Sequence, residues 1–445
     1  MTLDLVIRAP RAVLAGVERP AAVGIADGRI ATVESFDAPL DATVVLRLGE
    51  HEALLPGLVD THVHVNEPGR TEWEGFDTAT RAAAAGGVTT IIDMPLNSIP
   101  PTTTLNALEL KQERARSQAH VDVGFWGGAV PGNLGDMAKL HDAGVFGFKC
   151  FLIDSGVDEF PPLTGAEFAA AMTETARLGA LLIVHAEDPE VIAHAPHPGG
   201  PQYTTFLRSR PPEAENRAIA QVVDAARNTG GRAHILHLSS AAAVAQLHDA
   251  RASGVDVSVE TCPHYLALDA ASVPDGATQF KCCPPIRGRA NQDRLWHALR
   301  DGDIDMIVSD HSPCTVDLKR LDTGDFGTAW GGIASVQLGL AVVWTAARSR
   351  GHTLADVVHW MATRPADRVG LGHKGRIEPG ADADLCVFDP EAEFVVDPSR
   401  LWHKNPVSAY AGQRLTGTVR QTWVRGQRVE PDGPPHGRLL TRGNR

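Results

Sequence analysis

What most constrains this chain is an alternation of eight short runs rich in apolar and β-branched residues with longer stretches of helical spacing. The runs are GLVDTHVHV (57–65), VTTIIDMPL (88–96), VDVGFWGGA (121–129), VFGFKCFL (145–152), LLIVHAE (181–187), HILHLSS (234–240), VSVETCPHYL (257–266) and MIVSDHSP (306–313). Between them, segments such as EWEGFDTATRAAAA and AENRAIAQVVDAARN repeat apolar residues every three or four positions, as a helix lying against a sheet does. Near-continuous apolar strands suit a parallel sheet, which is buried on both faces. Eight strand-then-helix units over roughly 250 residues predict an α/β chain built on a (β/α)8 TIM-type barrel.

The two ends read differently. Residues 1–54 hold strand-like runs around the turn dipeptide Asp27-Gly28, and the same character returns in ADLCVFDP, EFVVDP, GTVRQTWV and GQRVEP. Neither piece alone buries much, so residues 1–54 and 376–430 are expected to form one small β-sandwich beside a barrel of residues 55–375. Residues 431–445, rich in Pro, Gly and Arg, read as a loosely ordered tail.

A formal charge of −13 and a pI near 5.8 argue against nucleic-acid or anionic-membrane partners, which call for a basic face. With no signal-like start and no run of about 18 apolar residues, the expected location is the cytoplasm. Six cysteines, at 150, 262, 282, 283, 314 and 386, lack a CxxC spacing and form no disulfide framework. They are not expected to ligate metal.

The chemistry gathers at the ends of the runs. His62 and His64 stand two apart, so a strand directs both imidazoles to one face, and Lys149, His185, His237 and Asp310 end further runs. In a parallel barrel the C-terminal strand ends share one mouth, where catalytic groups collect. His, carboxylate and oxygen ligands suit zinc, with manganese or cobalt as weaker alternatives, and a bridging group allows two ions. Asp310 can bind metal, pass a proton or cap a helix ahead of His311-Ser312-Pro313. Lys149 is the odd member, because an unpaired ammonium at the end of FGFKCF is costly to bury. Carbamylation by carbon dioxide turns it into an anion with two oxygens.

On these motifs, together with NEPGRTEWEGF, AAAAGGVTTIIDMPLNSIPPT, TCPHYL, KCCPPIR, VSDHSPC, WGGIASVQ and GRIEPGADADL, the chain resembles the cyclic amidohydrolases along almost its whole length. The resemblance implies two zinc ions bridged by a carbamylated Lys149, with His62, His64 and Asp310 completing one site and His185 and His237 the other. His234 is left to the outside or to a supporting place. It also implies that activated water opens a cyclic ureide to a ureido acid, with Asp310 as general base and acid. Relatives acting on dihydroorotate usually carry an arginine at position 66, so Asn66 favours a neutral ring, although Arg70 lies four residues on. Hydantoinases and dihydropyrimidinases hold their rings partly through backbone groups matching Cys283 and Gly331, and share the implied metal site. Asn97 either lines the pocket or serves as a turn residue ahead of Pro100 and Pro101. Family likeness also points to a homotetramer, with GGIASVQLGLAVVWTAA either an interface or a helix buried on the barrel. A non-catalytic assembly protein on the same barrel is the contrasting reading.

Overall fold

The computed structural model describes residues 2–430 and 432–443. Strands Leu58–Val63, Val88–Asp93, Asp122–Phe125, Phe148–Phe151, Leu181–His185, Arg232–Ile235, Val257–Thr261 and Met306–Ile307 follow one another in parallel pairing. Trp126 interrupts the third strand, so Asp122–Phe125 pairs backward with the second strand and Gly127–Gly128 pairs forward with the fourth. A bridge between Val63 and His311, with the His64 N–H on the His311 carbonyl at 2.8 Å, closes the circle. The barrel therefore has eight strands, and every residue of Leu58–Val63, Val88–Asp93 and Val257–Thr261 is buried, as a two-sided apolar pattern requires.

Helix Pro212–Thr229 shows why the chain wraps this way. Ala214, Ala218, Ile219, Val222, Val223 and Ala226 bury one stripe, and Gly230 ends the helix at φ 67°, a left-handed conformation that glycine adopts most readily. Thr164 and Glu167 cap Gly165–Leu178 reciprocally, an arrangement in which the threonine alone contributes about 1 kcal/mol. Within GGIASVQLGLAVVWTAA, helix Gly339–Arg348 buries Leu340, Val342, Val343 and Trp344 in the barrel's core cluster.

Both ends of the chain build one terminal layer. Strands Leu3–Leu14, Val17–Ala26, Arg29–Glu34, Ala42–Arg47 and Ala53–Pro56 join Leu385–Val395, Arg414–Val424 and Gln427–Arg428 in a single hydrogen-bonded mixed sheet. Two features make it continuous. Leu3–Leu14 is long enough to pair with Val17–Ala26 on one edge and with both Ala42–Arg47 and Ala53–Pro56 on the other, and Leu385–Val395 zips antiparallel onto Ala53–Pro56. Ile7, Val23, Leu54, Leu385 and Val387 form its own apolar cluster. The Asp27-Gly28 turn has positive φ at both residues, 52° and 74°, as a tight hairpin demands.

Residues 437–442, inside the tail expected to be loose over 431–445, are hydrogen-bonded to the barrel. The Gly437 N–H donates to Ala119, the Leu440 N–H to Val123 and the Arg442 N–H to Gly144, each at 2.8 Å. The cause is an open edge: the fourth strand begins too far along to cover residues 121–124, and the tail supplies the missing partners. Pro431, Asn444 and Arg445 lie outside the described residues. No helix among the described residues is long and apolar enough to cross a membrane.

Candidate metal centre and active site

All six expected ligand residues meet at the C-terminal mouth of the barrel, and all are buried. His62 Nε2 lies 3.1 Å from Asp310 Oδ1 and 3.4 Å from Lys149 Nζ, while His64 Nε2 is 3.7 Å from the same carboxylate oxygen. Across the mouth, His185 Nδ1 faces His237 Nε2 at 3.0 Å, and the His62 and His237 ring centres are 5.4 Å apart. The mouth opens into a cavity of about 470 Å³, a size that suits one small ring compound.

Local backbone turns aim these groups. His237 and Asp310 sit at φ 36° and 44°, and Asn66 and Asn97 both at 67°, a region that residues with a Cβ seldom enter. His237 accordingly lies beyond the end of Arg232–Ile235, and no helix starts at Asp310, which ends the capping reading. Strain of this kind, of order 1–3 kcal/mol per residue, persists where the surrounding structure enforces it, and it gathers at functional sites.

Carboxylates behind the imidazoles fix which nitrogen faces the mouth. His62 Nδ1–H donates to Glu260 Oε1 at 2.5 Å, and the other Glu260 oxygen takes His234 Nε2–H at 3.0 Å. His185 Nε2–H donates to Glu187 at 2.9 Å, and Glu187 is held in turn by Arg210. Burial opposes ionisation of both acids. Even so, His62 and His234 hold Glu260 down to about 2, and Arg210 with His185 does the same for Glu187. The nitrogens turned toward the mouth are His62 Nε2 and His185 Nδ1; despite burial, Asp310 and Glu260 raise the His62 pKa, so a metal there would displace a proton.

Electrostatics leave the donor set ready for a cation. Burial, reinforced by Lys149, holds His64 well below its usual range, and burial beside His185 does so for His237, so both are neutral at pH 7. Despite burial, the charge of His62 and its hydrogen bond hold Asp310 well below the usual carboxylate range. Lys149, pushed down to about 8 by burial, has no carboxylate within ion-pair distance among the described residues. His185 Nδ1 and His237 Nε2, 3.0 Å apart, share one N–H as a hydrogen bond or, with that proton displaced, both face a single metal ion. His62, His64 and Asp310 form a candidate metal-ligand group. A second acidic group, Asp122, Asp382 and Asp384, is already balanced by Lys374 Nζ at 2.6, 2.9 and 2.7 Å.

The expected substrate contacts divide. Asn97, Cys283 and Gly331 line the cavity, and Asn97 Nδ2 lies 3.4 Å from His64 Nδ1. Asn66 does not belong to that wall. Its left-handed backbone turns the amide toward the Pro313 carbonyl at 3.4 Å, and the side chain is 1% exposed. Arg70 is occupied by the Asn97 carbonyl and by Glu159. All six cysteines are free thiols, and burial raises their pKa, so none is a ready nucleophile.

Sequence reasoning missed Glu260, Glu187 and Asp60. Asp60 accepts the N–H groups of His62 and Ser309, tying the first strand to the eighth beneath the site. The signal was present: a carboxylate inside an apolar run, two residues from a ligand or on the next strand, is out of place unless something needs it.

Comparison with known proteins agrees with this geometry. The model of the amidohydrolase family matches residues 53–429. A protein named allantoinase from Streptomyces avermitilis is 58% identical over 443 residues, covering 99% of each chain. Another from Saccharomyces cerevisiae is 46% identical, covering 95% of this chain and 94% of that one. Among solved structures, the L-hydantoinase of Arthrobacter aurescens superimposes with a TM-score of 0.92 at 30% identity, over 99% of this chain and 100% of that chain. A family match of this extent, carried by relatives of this identity along nearly the whole sequence, means that the chain belongs to the amidohydrolase family.

Proposed function

We infer that this amidohydrolase opens the hydantoin ring of allantoin to allantoate, a step of purine catabolism. The observation that carries the substrate is the full-length 58% identity to an allantoinase, beside a cavity whose size suits a single ring. The L-hydantoinase likeness, at 30%, makes hydantoins the second reading. A turnover panel of allantoin, hydantoin, dihydrouracil and dihydroorotate tests both. Allantoin is expected to lead in kcat/KM, and a lead for dihydrouracil would overturn the assignment.

The donor set supports two divalent ions, zinc with manganese or cobalt as alternatives. His62, His64 and Asp310 would hold one ion, His185 and His237 the other, and a carbamylated Lys149 both. When bound, such ions lower the pKa of water and polarise a carbonyl. Asp310 then takes the proton of the attacking water and delivers it to the departing ring nitrogen. As the C–O bond forms the C–N bond breaks, which leaves a carboxylate and a free ureido nitrogen. Asn97 and the backbone at Cys283 and Gly331 hold the ring. We also place the protein in the cytoplasm as a homotetramer, in line with the sequence reading.

Glu260 offers a separate check. Glu260→Gln leaves His62 in place but weakens the anion behind it, and such partners are worth about 10–100-fold in metal affinity. Chelator competition should show that loss with the secondary structure intact. Unchanged affinity would remove Glu260 from any role in the centre.

A further inference from the structure

The segment 327–332 forms one wall of the cavity and carries Gly331. Two ammonium groups grip its carbonyls. Lys319 Nζ donates to the Trp330 carbonyl at 3.1 Å and to that of Gly332, and Lys281 Nζ donates to those of Ala329 at 2.6 Å and Gly327 at 3.2 Å. Lys319 is 4% exposed and Lys281 9%. Among the described residues, neither ammonium has a carboxylate within ion-pair distance. Two buried cations held by carbonyls, with the Phe206 ring 5.5 Å from the Lys281 ammonium, are an expensive way to hold a loop, since apolar side chains of similar volume would serve stability as well or better.

Peptide geometry shows what the grip achieves. In a trans peptide the carbonyl of residue 330 and the N–H of residue 331 point in opposite directions. Lys319, which does not line the cavity, draws the Trp330 carbonyl to its own side and so turns the Gly331 N–H the other way. The neighbouring N–H groups are all engaged: Ala329 on Asp325 at 3.0 Å, Trp330 on Leu318 at 2.8 Å and Gly332 on Lys281 at 2.8 Å. Among the described residues the Gly331 N–H has no acceptor; that of Thr328 has none either, but Thr328 does not line the cavity. No side chain screens it, and a Cβ at 331 would meet nothing nearer than Cys283 Sγ at 3.8 Å. An ammonium on the carbonyl end of a peptide also polarises its N–H, because linked hydrogen bonds strengthen one another.

We propose that Lys319, backed by Lys281, is a positioning residue that aims and polarises the Gly331 N–H as a donor to the ring carbonyl of the substrate that is not attacked. The proposal rests on the hydantoin-opening reading above. An N–H on a carbonyl that does not react binds ground state and transition state alike, so its loss belongs in KM rather than kcat.

The test uses the metal-loaded enzyme and Lys319→Met, which keeps length and apolar volume. Expected are a KM for allantoin raised about tenfold and a kcat within about threefold of the parent. The diagnostic readout is the ratio of inhibition constants for hydantoin and 2-thiohydantoin against allantoin turnover, since sulfur is a poor acceptor. The parent should penalise the thio compound about tenfold, Lys319→Met should reduce that penalty to about threefold or less, and Lys319→Arg should restore it. An unchanged ratio, or equal losses for both ligands, would show Lys319 to be merely structural and overturn the proposal. Should Lys319→Met not fold, the same ratio is read on Lys281→Met, where an unchanged penalty counts equally against it. Failure of the parent to turn over allantoin would instead sink the functional reading.

Discussion

Replacing Lys149 with alanine should remove metal and ring-opening activity together, with turnover lost by a factor of about a thousand or more. The reason begins with burial. Lys149 is 1% exposed, stands 3.4 Å from His62 Nε2 and, among the described residues, forms no direct ion pair, so as an ammonium it would be a buried charge only partly offset by Asp310 and Glu260 and facing the very nitrogens that must accept cations. Burial pushes its pKa down to about 8, which leaves a useful fraction as neutral amine near pH 7.5, the form that attacks carbon dioxide. Two divalent ions repel each other strongly unless anions lie between them, and a carbamate supplies two oxygens where the ammonium supplies none. Metal counting on Lys149→Ala should therefore give well below one ion per chain. Formate, acetate or propionate added to the variant should restore part of the metal and part of the turnover by occupying the vacated space. A crystal structure with a bare amine beside two fully occupied metal positions would defeat the carbamate. So would an alanine variant fully active in buffer freed of carbon dioxide.

The second large effect is expected at Asp310, and it should separate chemistry from binding. Asp310→Asn keeps an oxygen beside His62 and His64, so most of the metal should remain. An amide cannot carry the proton from water to the leaving nitrogen, and general acid–base groups contribute about 10²–10⁴-fold. We expect kcat to fall by about a thousand with KM changed little, measured alongside metal content. Activity within tenfold of the parent would take Asp310 out of the proton path.

How much of this was legible in the chain depends on how local the signal was. The eight strands could be read because apolar runs and helical spacing are properties of neighbouring residues, and His62 and His64 could be paired because strand geometry repeats every two. His237 shows the limit. HILHLSS reads as one strand, yet the ladder ends at Ile235, and a left-handed residue carries the imidazole into the mouth. Asn66 shows it again, since two residues beyond His64 a φ of 67° turns its amide to Pro313 rather than to the cavity. Glu260 was visible as an acid in an apolar strand, but its partners His62 and His234 come from two other strands, and only the closed barrel brings them together. The docked tail was the least legible, because its partners lie some 300 residues earlier and its composition resembles that of a free end.

That docked segment bears on how the protein is made. Residues 436–442 leave the ribosome after every barrel strand has been synthesised, and until then the edge at 121–124 offers unpaired N–H and C=O groups to any neighbouring chain. Nascent or truncated copies should therefore be the aggregation-prone species, and crowded expression should expose that weakness before heat does. A bulky fusion attached directly after Arg442 would press on the same edge, and a flexible spacer should relieve it.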